Sequence, residues 1–130
     1  MEGRLRLLLD THVAIWALDE PERLSAQTRQ AIETEENDIF VSVVSPWELA
    51  IKGPREGLRV PDDFEKGLAG EGVTLLPVLW RHMGPLKSMA YHHRDPFDRM
   101  LVAQALTEGL TIVTADRKLR DYPVSLVPAV

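Results

Sequence analysis

The stretch Leu5-Arg-Leu-Leu-Leu-Asp-Thr-His-Val-Ala-Ile-Trp16 places an apolar run directly before a carboxylate, near the start of the sequence. Its leucines form an almost continuous hydrophobic segment, which is typical of a strand buried on both faces of a parallel sheet. The apolar residues from Val13 onward predict a helix, so Asp10 is expected at the carboxyl end of a central strand. Ligands bind at that edge of open α/β sheets. The alternative, of equal weight here, is that Asp10 or Thr11 is only the N-cap of the helix.

The bulk composition bounds the class of protein. The chain has 130 residues, of which 45% are hydrophobic and none is cysteine. This length suits a single domain, residues 1–130, with a sizeable core. Without cysteine, disulfides and thiolate metal sites are excluded. No run of eighteen apolar residues and no signal-peptide layout is present, so we expect a cytoplasmic protein with no membrane partner.

The charge is negative overall and unevenly distributed. A formal net charge of −5 argues against a protein that holds nucleic acid through a broad basic surface. Residues 1–38 carry nine acids and four basic residues, whereas residues 81–99 carry four basic residues, three histidines and two acids. A polyanion would approach the second region, although ordinary surface scatter explains any one of these residues.

The remaining segments alternate between sequence patterns typical of strands and sequence patterns typical of helices. Residues 39–44, 73–76, 110–113 and 124–127 predict further strands, because they are short, apolar and rich in β-branched side chains. Helices are predicted between them, at about 25–36, from 45, after Pro61, over 78–89 and over 96–108. Alternation of this kind predicts an α/β fold with a mostly parallel sheet of four or five strands.

Two of the predicted helices begin with acidic capping sequences. In Ser45-Pro-Trp-Glu48, the serine is expected as N-cap, the proline at the first helical position and the glutamate at the third. Asp95 and Pro96 repeat this arrangement before a helix that is apolar nearly all round, which predicts burial at the centre of the molecule. Asp98 lies in the first turn of that helix. An uncompensated carboxylate there would cost several kcal/mol, so it needs a cation, a proton or several donors.

Four acids share one topological setting: Asp10, Glu48 and Asp116 each follow a predicted strand, and Asp98 begins the buried helix. They can converge at one sheet edge, where two like charges near 5 Å repel by roughly 3 kcal/mol at an effective dielectric constant of about 20. Divalent cations relieve such repulsion, and a site of carboxylates without cysteine favours Mg²⁺ or Mn²⁺ over Zn²⁺. For any one of these acids alone, helix capping is the better explanation.

Four motifs together resemble the PIN domain family, and within it the VapC-type toxins of bacterial and archaeal toxin–antitoxin pairs. They are Leu-Leu-Leu-Asp10-Thr11-His12, Ser-Pro-Trp-Glu48-Leu-Ala-Ile-Lys52, His93-Arg94-Asp95-Pro96-Phe97-Asp98-Arg99-Met-Leu-Val-Ala-Gln-Ala and Ile-Val-Thr114-Ala-Asp116. The resemblance implies a three-layer α/β/α fold and a Mg²⁺- or Mn²⁺-dependent endoribonuclease. It implies that Asp10, Glu48, Asp98 and Asp116 are catalytic and hold the metal. The implied partners are an antitoxin protein, an RNA substrate and a second copy in a homodimer.

One segment departs from the family pattern. Family members usually continue the third helix beyond the position of Lys52, whereas here Gly53 and Pro54 follow. Proline removes a backbone donor from a helix interior, so we expect it to shorten this helix.

Several polar residues near the four acids are candidates for substrate contacts. Thr11 and Thr114 could orient ligands or substrate, although local turn hydrogen bonds are the commoner role for such threonines. Arg94 and Arg99 are candidates for contacts with backbone phosphates, with structural ion pairs as an equal alternative. His12 follows Asp10 closely and could face the site, but a structural, hydrogen-bonded role is the better expectation for it. The three tryptophans are expected in the core or an interface rather than as base-stacking platforms.

The sequence can be compared with the patterns expected for other functions. A PIN-like RNA-processing nuclease outside a toxin–antitoxin pair, or a catalytically silent PIN-like binding module, would share the fold. An aspartyl-phosphate phosphatase would want an acid two residues after Asp10, where this sequence has His12. A phospho-receiver domain would need clustered acids after the first strand and a late lysine, and neither is evident.

Overall fold

The structure is a computed structural model that describes residues 4–89 and 95–130. Within those ranges it has strands β1 (Arg6–Leu9), β2 (Asp38–Ser42), β3 (Thr74–Leu76), β4 (Thr111–Thr114) and β5 (Leu126–Pro128). They form one sheet in the order β3-β2-β1-β4-β5, and every neighbouring pair is parallel. The prediction of a parallel sheet of four or five strands is confirmed, with five.

Helices cover both faces of this sheet. They are α1 (Thr11–Asp19), α2 (Ala26–Glu33), α3 (Val44–Glu56), α4 (Phe64–Gly70), α5 (Met83–Ser88) and α6 (Pro96–Glu108). Short 3-10 helices lie at Pro21–Arg23, Trp80–His82 and Arg117–Asp121. One apolar cluster joins the sheet to α1, α2 and α4, and the other joins it to α3 and α6. This is the three-layer α/β/α arrangement that the resemblance implies.

The central strand β1 anchors both layers. Leu7 and Leu9 point into the cluster with α1, whereas Leu8 points into the cluster with α6, and all three are fully buried. Burying a leucine side chain contributes roughly 2 kcal/mol, so this short strand is held firmly from both sides. The residue that follows it, Asp10, therefore starts from a fixed backbone position.

The connection order creates a crevice beside β1. The chain runs from β1 outward through β2 to β3, and then returns to place β4 and β5 on the opposite side of β1. The loops after β1 and β4 consequently leave the sheet in opposite directions. In open α/β sheets this topological switch point is where ligands bind. Asp10 follows β1 directly, and Asp116 lies two residues after β4.

Two predictions about α3 are wrong. The helix begins at Val44, two residues before the expected first helical position at Pro46, because the hydroxyl of Ser42 at the end of β2 accepts from the Val44 N–H at 3.0 Å. Ser45 is therefore inside the first turn and makes no cap. The helix also continues past Pro54 and ends at Glu56, with Gly57 in the left-handed conformation at φ 65°. Pro54 is exposed in the last turn, where water can replace the missing donor.

The caps of the other helices agree better with the sequence. Ser25 caps α2 by accepting from the Thr28 N–H, and Asp95 caps α6 by accepting from the Phe97 and Asp98 N–H groups. Gly109 ends α6 at φ 69°, a conformation that favours glycine. The helix expected over 78–89 is divided into a 3-10 turn and the shorter α5. Within the described ranges, no helix combines the length and apolar character needed to cross a membrane.

Candidate active site

A cleft of about 590 Å³ lies at the carboxyl end of the sheet, at the switch point. All four acids predicted to form the site line it, together with residues from α1, α3, α6 and the segment after β4. The lining residues are Asp10, His12, Trp16, Glu48, Lys52, Glu56, Asp95, Asp98, Ala115, Asp116 and Lys118. The structure thus brings Asp10, Glu48, Asp98 and Asp116 into one cleft from four separate parts of the chain.

Asp10 is buried at the end of β1 and held by two donors. One carboxylate oxygen accepts from the Thr11 N–H at 2.6 Å, and the other accepts from the Thr114 hydroxyl, also at 2.6 Å. Burial raises the pKa of this carboxyl, and these hydrogen bonds offset the rise only in part. Asp10 therefore caps α1, as the alternative reading allowed, and also faces the cleft.

Thr114 links the two acids that flank the crevice. Its hydroxyl donates to Asp10 and accepts from the Asp116 N–H at 2.9 Å. One Asp116 carboxylate oxygen in turn accepts from the Lys118 N–H at 2.9 Å, so this acid caps the following 3-10 helix. Thr114 is buried and its hydroxyl is used in both directions, so it orients carboxylates, which is one of the roles that the sequence suggests, and its contact with substrate stays a prediction.

Thr11 plays the corresponding part on the other side of the cleft. Its hydroxyl donates to Glu48 Oε1 at 2.7 Å and lies 2.9 Å from the Ser45 hydroxyl. A hydroxyl has one proton, so Ser45 must donate to Thr11. This chain of hydrogen bonds fixes Glu48 to the start of α1. Thr11 is fully buried, and the predicted contact with substrate does not fit that position.

Lys52 joins α3 to α6 inside the cleft. Its ammonium donates to Glu48 Oε2 at 3.2 Å and to Asp95 Oδ2. Partial burial alone would lower the pKa of Lys52, but the hydrogen bonds to Asp95 and Glu48 outweigh it and raise that pKa. Burial would likewise raise the pKa of Asp95, yet the hydrogen bonds from Lys52 and from the Asp98 N–H lower it. Both groups are therefore charged at neutral pH.

Asp98 is strongly perturbed by its surroundings in the cleft. It is half-buried, and burial together with the negative charges of Asp10, Asp95, Glu48 and Asp116 raises its pKa to about 8. Burial is the larger cause, and the neighbouring carboxylates act in the same direction. Strong perturbation of this kind in a cleft is typical of functional sites. The four acids therefore lie close enough to influence one another's ionisation.

The donor chemistry of the cleft fits a hard divalent cation. Carboxylate oxygens are the ligands that Mg²⁺ and Mn²⁺ prefer, and a cation would neutralise the charge that perturbs Asp98. Across residues 4–89 and 95–130, no three histidine or acidic side chains are already arranged around a point that could hold an ion. Asp10, Glu48 and Asp116 instead accept from protein donors. Coordination therefore requires these carboxylates to turn toward a shared ion.

Arg99, one of the two predicted phosphate-binding arginines, does not line the cleft. Arg99 is 9% exposed and donates to the Tyr122 hydroxyl at 3.3 Å and to the Leu86 carbonyl at 3.5 Å. Its buried position on α6 indicates a structural role. Arg94, with the neighbouring histidines 92 and 93, lies outside the described residues. The basic region predicted over 81–99 is further reduced because His82 is buried and Arg81 pairs with Glu108 at 2.7 Å.

Some cleft residues were missed or misplaced by the sequence analysis. The sequence motif that contains Lys52 does not reveal its function in the cleft. The signal that could have found it is its spacing of four residues from Glu48, which is typical of an ion pair on one helix face. His12 is exposed in the cleft, with its ring 6.1 Å from that of Trp16, which contradicts the expected structural role. Trp80 is 91% exposed and Trp47 57% exposed, so neither belongs to the core.

Comparisons with known proteins agree with this fold. Residues 7–124 match the PIN domain family. Ribonuclease VapC22 of Mycobacterium tuberculosis is 34% identical over 127 residues, which cover 89% of this chain and 91% of the relative. The chain belongs to the PIN domain family.

Solved structures show the same fold at low identity. VapBC2 from Rickettsia felis, bound to a DNA fragment from its promoter, has a TM-score of 0.67 at 14% identity, covering 95% of this chain and 98% of that one. DNA-bound VapBC from Salmonella typhimurium has a TM-score of 0.61 at 23% identity, with coverage of 95% and 97%. VapBC-5 from Mycobacterium tuberculosis, a member of a toxin–antitoxin family, reaches 0.54 at 19% identity, with coverage of 94% and 95%.

Proposed function

We propose that this protein is a Mg²⁺- or Mn²⁺-dependent endoribonuclease and the toxin of a toxin–antitoxin pair. The observation that carries the proposal is the meeting of Asp10, Glu48, Asp98 and Asp116 in one cleft at the topological switch point. The 34% identity to a relative named as a ribonuclease supports the RNA-cleaving activity. The likeness of fold to VapBC complexes agrees with an antitoxin partner.

Within this proposal the acids differ in role. Asp10, Asp98 and Asp116 surround the crevice between β1 and β4 and would hold the ion. Glu48 accepts from Thr11 and pairs with the Lys52 ammonium, whereas both donors to Asp10 are uncharged, so Glu48 orders the second side of the cleft. When bound, a divalent ion supplies Lewis acidity that makes water a better nucleophile and offsets charge on the phosphoryl group. Thr114 and Thr11 hold Asp10 and Glu48 at the cleft until the ion-binding carboxylates turn toward the ion.

RNA is proposed to approach from the segment after β4. Lys118 lines the cleft and is exposed, and Arg117 and Arg120 are exposed on the same 3-10 helix. Cationic side chains beside a catalytic cleft contact backbone phosphates without reading sequence. These residues take the place of Arg99 as candidates for substrate contacts. They also explain how a chain of net charge −5 can receive a polyanion.

The antitoxin is proposed to inhibit the nuclease by covering this cleft. A protein that places a basic side chain among the carboxylates of the cleft would compete with the divalent ion and exclude RNA. The homodimer and the cytoplasmic location implied by the resemblance remain predictions.

Cleavage of RNA with and without divalent ions tests the proposed activity. We expect the wild-type chain to cleave RNA with Mn²⁺, to be inactive with EDTA, and to lose most of its activity as Asp10→Asn or Asp98→Asn. Asp62→Asn is the matched control, because Asp62 is exposed and does not line the cleft. Undiminished cleavage by both cleft variants would refute the metal site, and absence of cleavage of tRNA, rRNA and mRNA would favour a binding module.

A further inference from the structure

Lys52 lies within the carboxylate cleft, where a cation of the protein's own meets two acids. Its side chain is 22% exposed, and its ammonium contacts Glu48 of α3 and Asp95 at the start of α6. The ammonium also lies 5.2 Å from the centre of the Phe97 ring, in a cation–π arrangement. Two carboxylates and an aromatic face therefore favour positive charge at this position.

The acids that Lys52 contacts are otherwise engaged with the protein. Glu48 accepts from the Thr11 hydroxyl through Oε1 at 2.7 Å, and Asp95 accepts from the Phe97 N–H through Oδ1 at 2.8 Å. Each of them turns its second oxygen toward the Lys52 ammonium. The ammonium thus occupies the space between Glu48 and Asp95 where a further divalent ion would find its oxygen ligands.

Nucleases that use two divalent ions hold them about 3.5–4 Å apart, where both ions neutralise charge on the scissile phosphate. An ammonium tied to two carboxylates supplies part of that positive charge permanently. It cannot coordinate water as a divalent ion does, so a water molecule could be activated only by an ion in the crevice between β1 and β4. The cleft is therefore asymmetric, with a fixed cation on the α3 side and a crevice of carboxylates on the other.

We propose that Lys52 takes the place of a second metal ion, so that the chain binds one divalent ion through Asp10, Asp98 and Asp116 and none between Glu48 and Asp95. This inference rests on the proposed metal-dependent function. It specifies how many divalent ions the chain binds and gives a function to Lys52, which lies among acids. It also predicts that removal of the ammonium opens a second ion site that the wild-type chain lacks.

Counting Mn²⁺ ions tests this inference without any measurement of activity. Free Mn²⁺ is followed by electron paramagnetic resonance during titration of the RNA-free protein, with folding verified by circular dichroism. We expect one ion per chain for wild type, for Lys52→Arg and for the exposed control Lys66→Met, and two for Lys52→Met. The double variant Lys52→Met/Glu48→Gln should return to one ion, because it removes an oxygen ligand of the new site.

The outcomes separate this inference from the proposed function. Two ions on the wild-type chain, or one on the folded Lys52→Met chain, would overturn the role of Lys52. Weaker binding by Lys52→Met without an additional ion would show that the lysine only positions Glu48. Absence of Mn²⁺ binding by the wild-type chain would instead remove the proposed metal-dependent function. Should Lys52→Met fail to fold, Lys52→Gln carries the same test with a polar side chain.

Discussion

Replacing Asp98 by asparagine should stabilise the ion-free protein at neutral pH. In the folded chain the pKa of this carboxyl is raised to about 8 from its ordinary value of 3.8, by burial and by four neighbouring carboxylates. The folded state therefore binds the proton more tightly than the unfolded chain. The contribution of this carboxyl to stability is greatest at pH below 3.8, where both states are protonated, and is lost as pH rises toward 8. Asparagine has no such proton to lose.

The pKa difference sets an upper limit on the effect. The pKa of the Asp98 carboxyl is 3.8 in the unfolded chain and about 8 in the folded chain. The free energy of unfolding that this carboxyl loses by pH 7 is therefore at most about 4 kcal/mol, since one pH unit corresponds to roughly 1.4 kcal/mol. The side chain is partly exposed, and solvent screening reduces the interaction by about half, which leaves roughly 2 kcal/mol. For a chain of 130 residues this corresponds to a rise in Tm of about 6–8 °C.

Thermal unfolding with EDTA at several pH values provides the assay. The difference in Tm between Asp98→Asn and wild type should be small at pH 4 and should grow between pH 5 and 8. Asp62→Asn, at an exposed position outside the cleft, should leave the Tm close to that of wild type at every pH. A difference that stays constant with pH, or a less stable Asp98→Asn chain, would refute the electrostatic reasoning.

Three further variants test the surrounding structure. Thr114→Val should lower the free energy of unfolding by about 1–3 kcal/mol in urea, because it strips a hydrogen-bond partner from Asp10 and from the Asp116 N–H, whereas Thr114→Ser should restore most of the loss. Arg99→Met should also lower the free energy of unfolding in urea but leave the affinity of the chain for Mn²⁺ unchanged. Weaker Mn²⁺ binding by this variant would show that Arg99 contributes to the site. Ser25→Ala should cost about 1 kcal/mol by thermal unfolding through loss of the α2 cap, and an unchanged Tm would contradict that assignment.

The sheet was predictable because β1 and its surroundings leave little choice. An apolar run that ends at Asp10 reads as a central parallel strand, and the alternation that follows specifies the class of fold. The start of α3 was less predictable, since the capping sequence Ser45 to Glu48 fits the local rules. It was overridden by Ser42, whose hydroxyl caps the helix from the end of β2, and by burial of Ser45 against Thr11.

The acids of the site were predictable, but the partners of those acids were not. Strand exits and the start of the buried helix locate Asp10, Glu48, Asp98 and Asp116 in the sequence. The contact of Lys52 with Asp95 joins residues that are 43 positions apart, and no local pattern reports it. Arg99 was misplaced for a related reason: it directly follows the cleft residue Asp98 on α6, and only its packing against Tyr122 shows that it points toward the core.

Anomalous diffraction from crystals soaked in Mn²⁺ tests the central claim most directly. We expect one Mn²⁺ peak in the crevice between β1 and β4, at about 2.0–2.3 Å from carboxylate oxygens of Asp10, Asp98 and Asp116. Loss of the peak in Asp98→Asn crystals would confirm that these side chains hold the ion. A peak at another place on the chain, or an empty cleft at an Mn²⁺ concentration that supports RNA cleavage, would contradict the account.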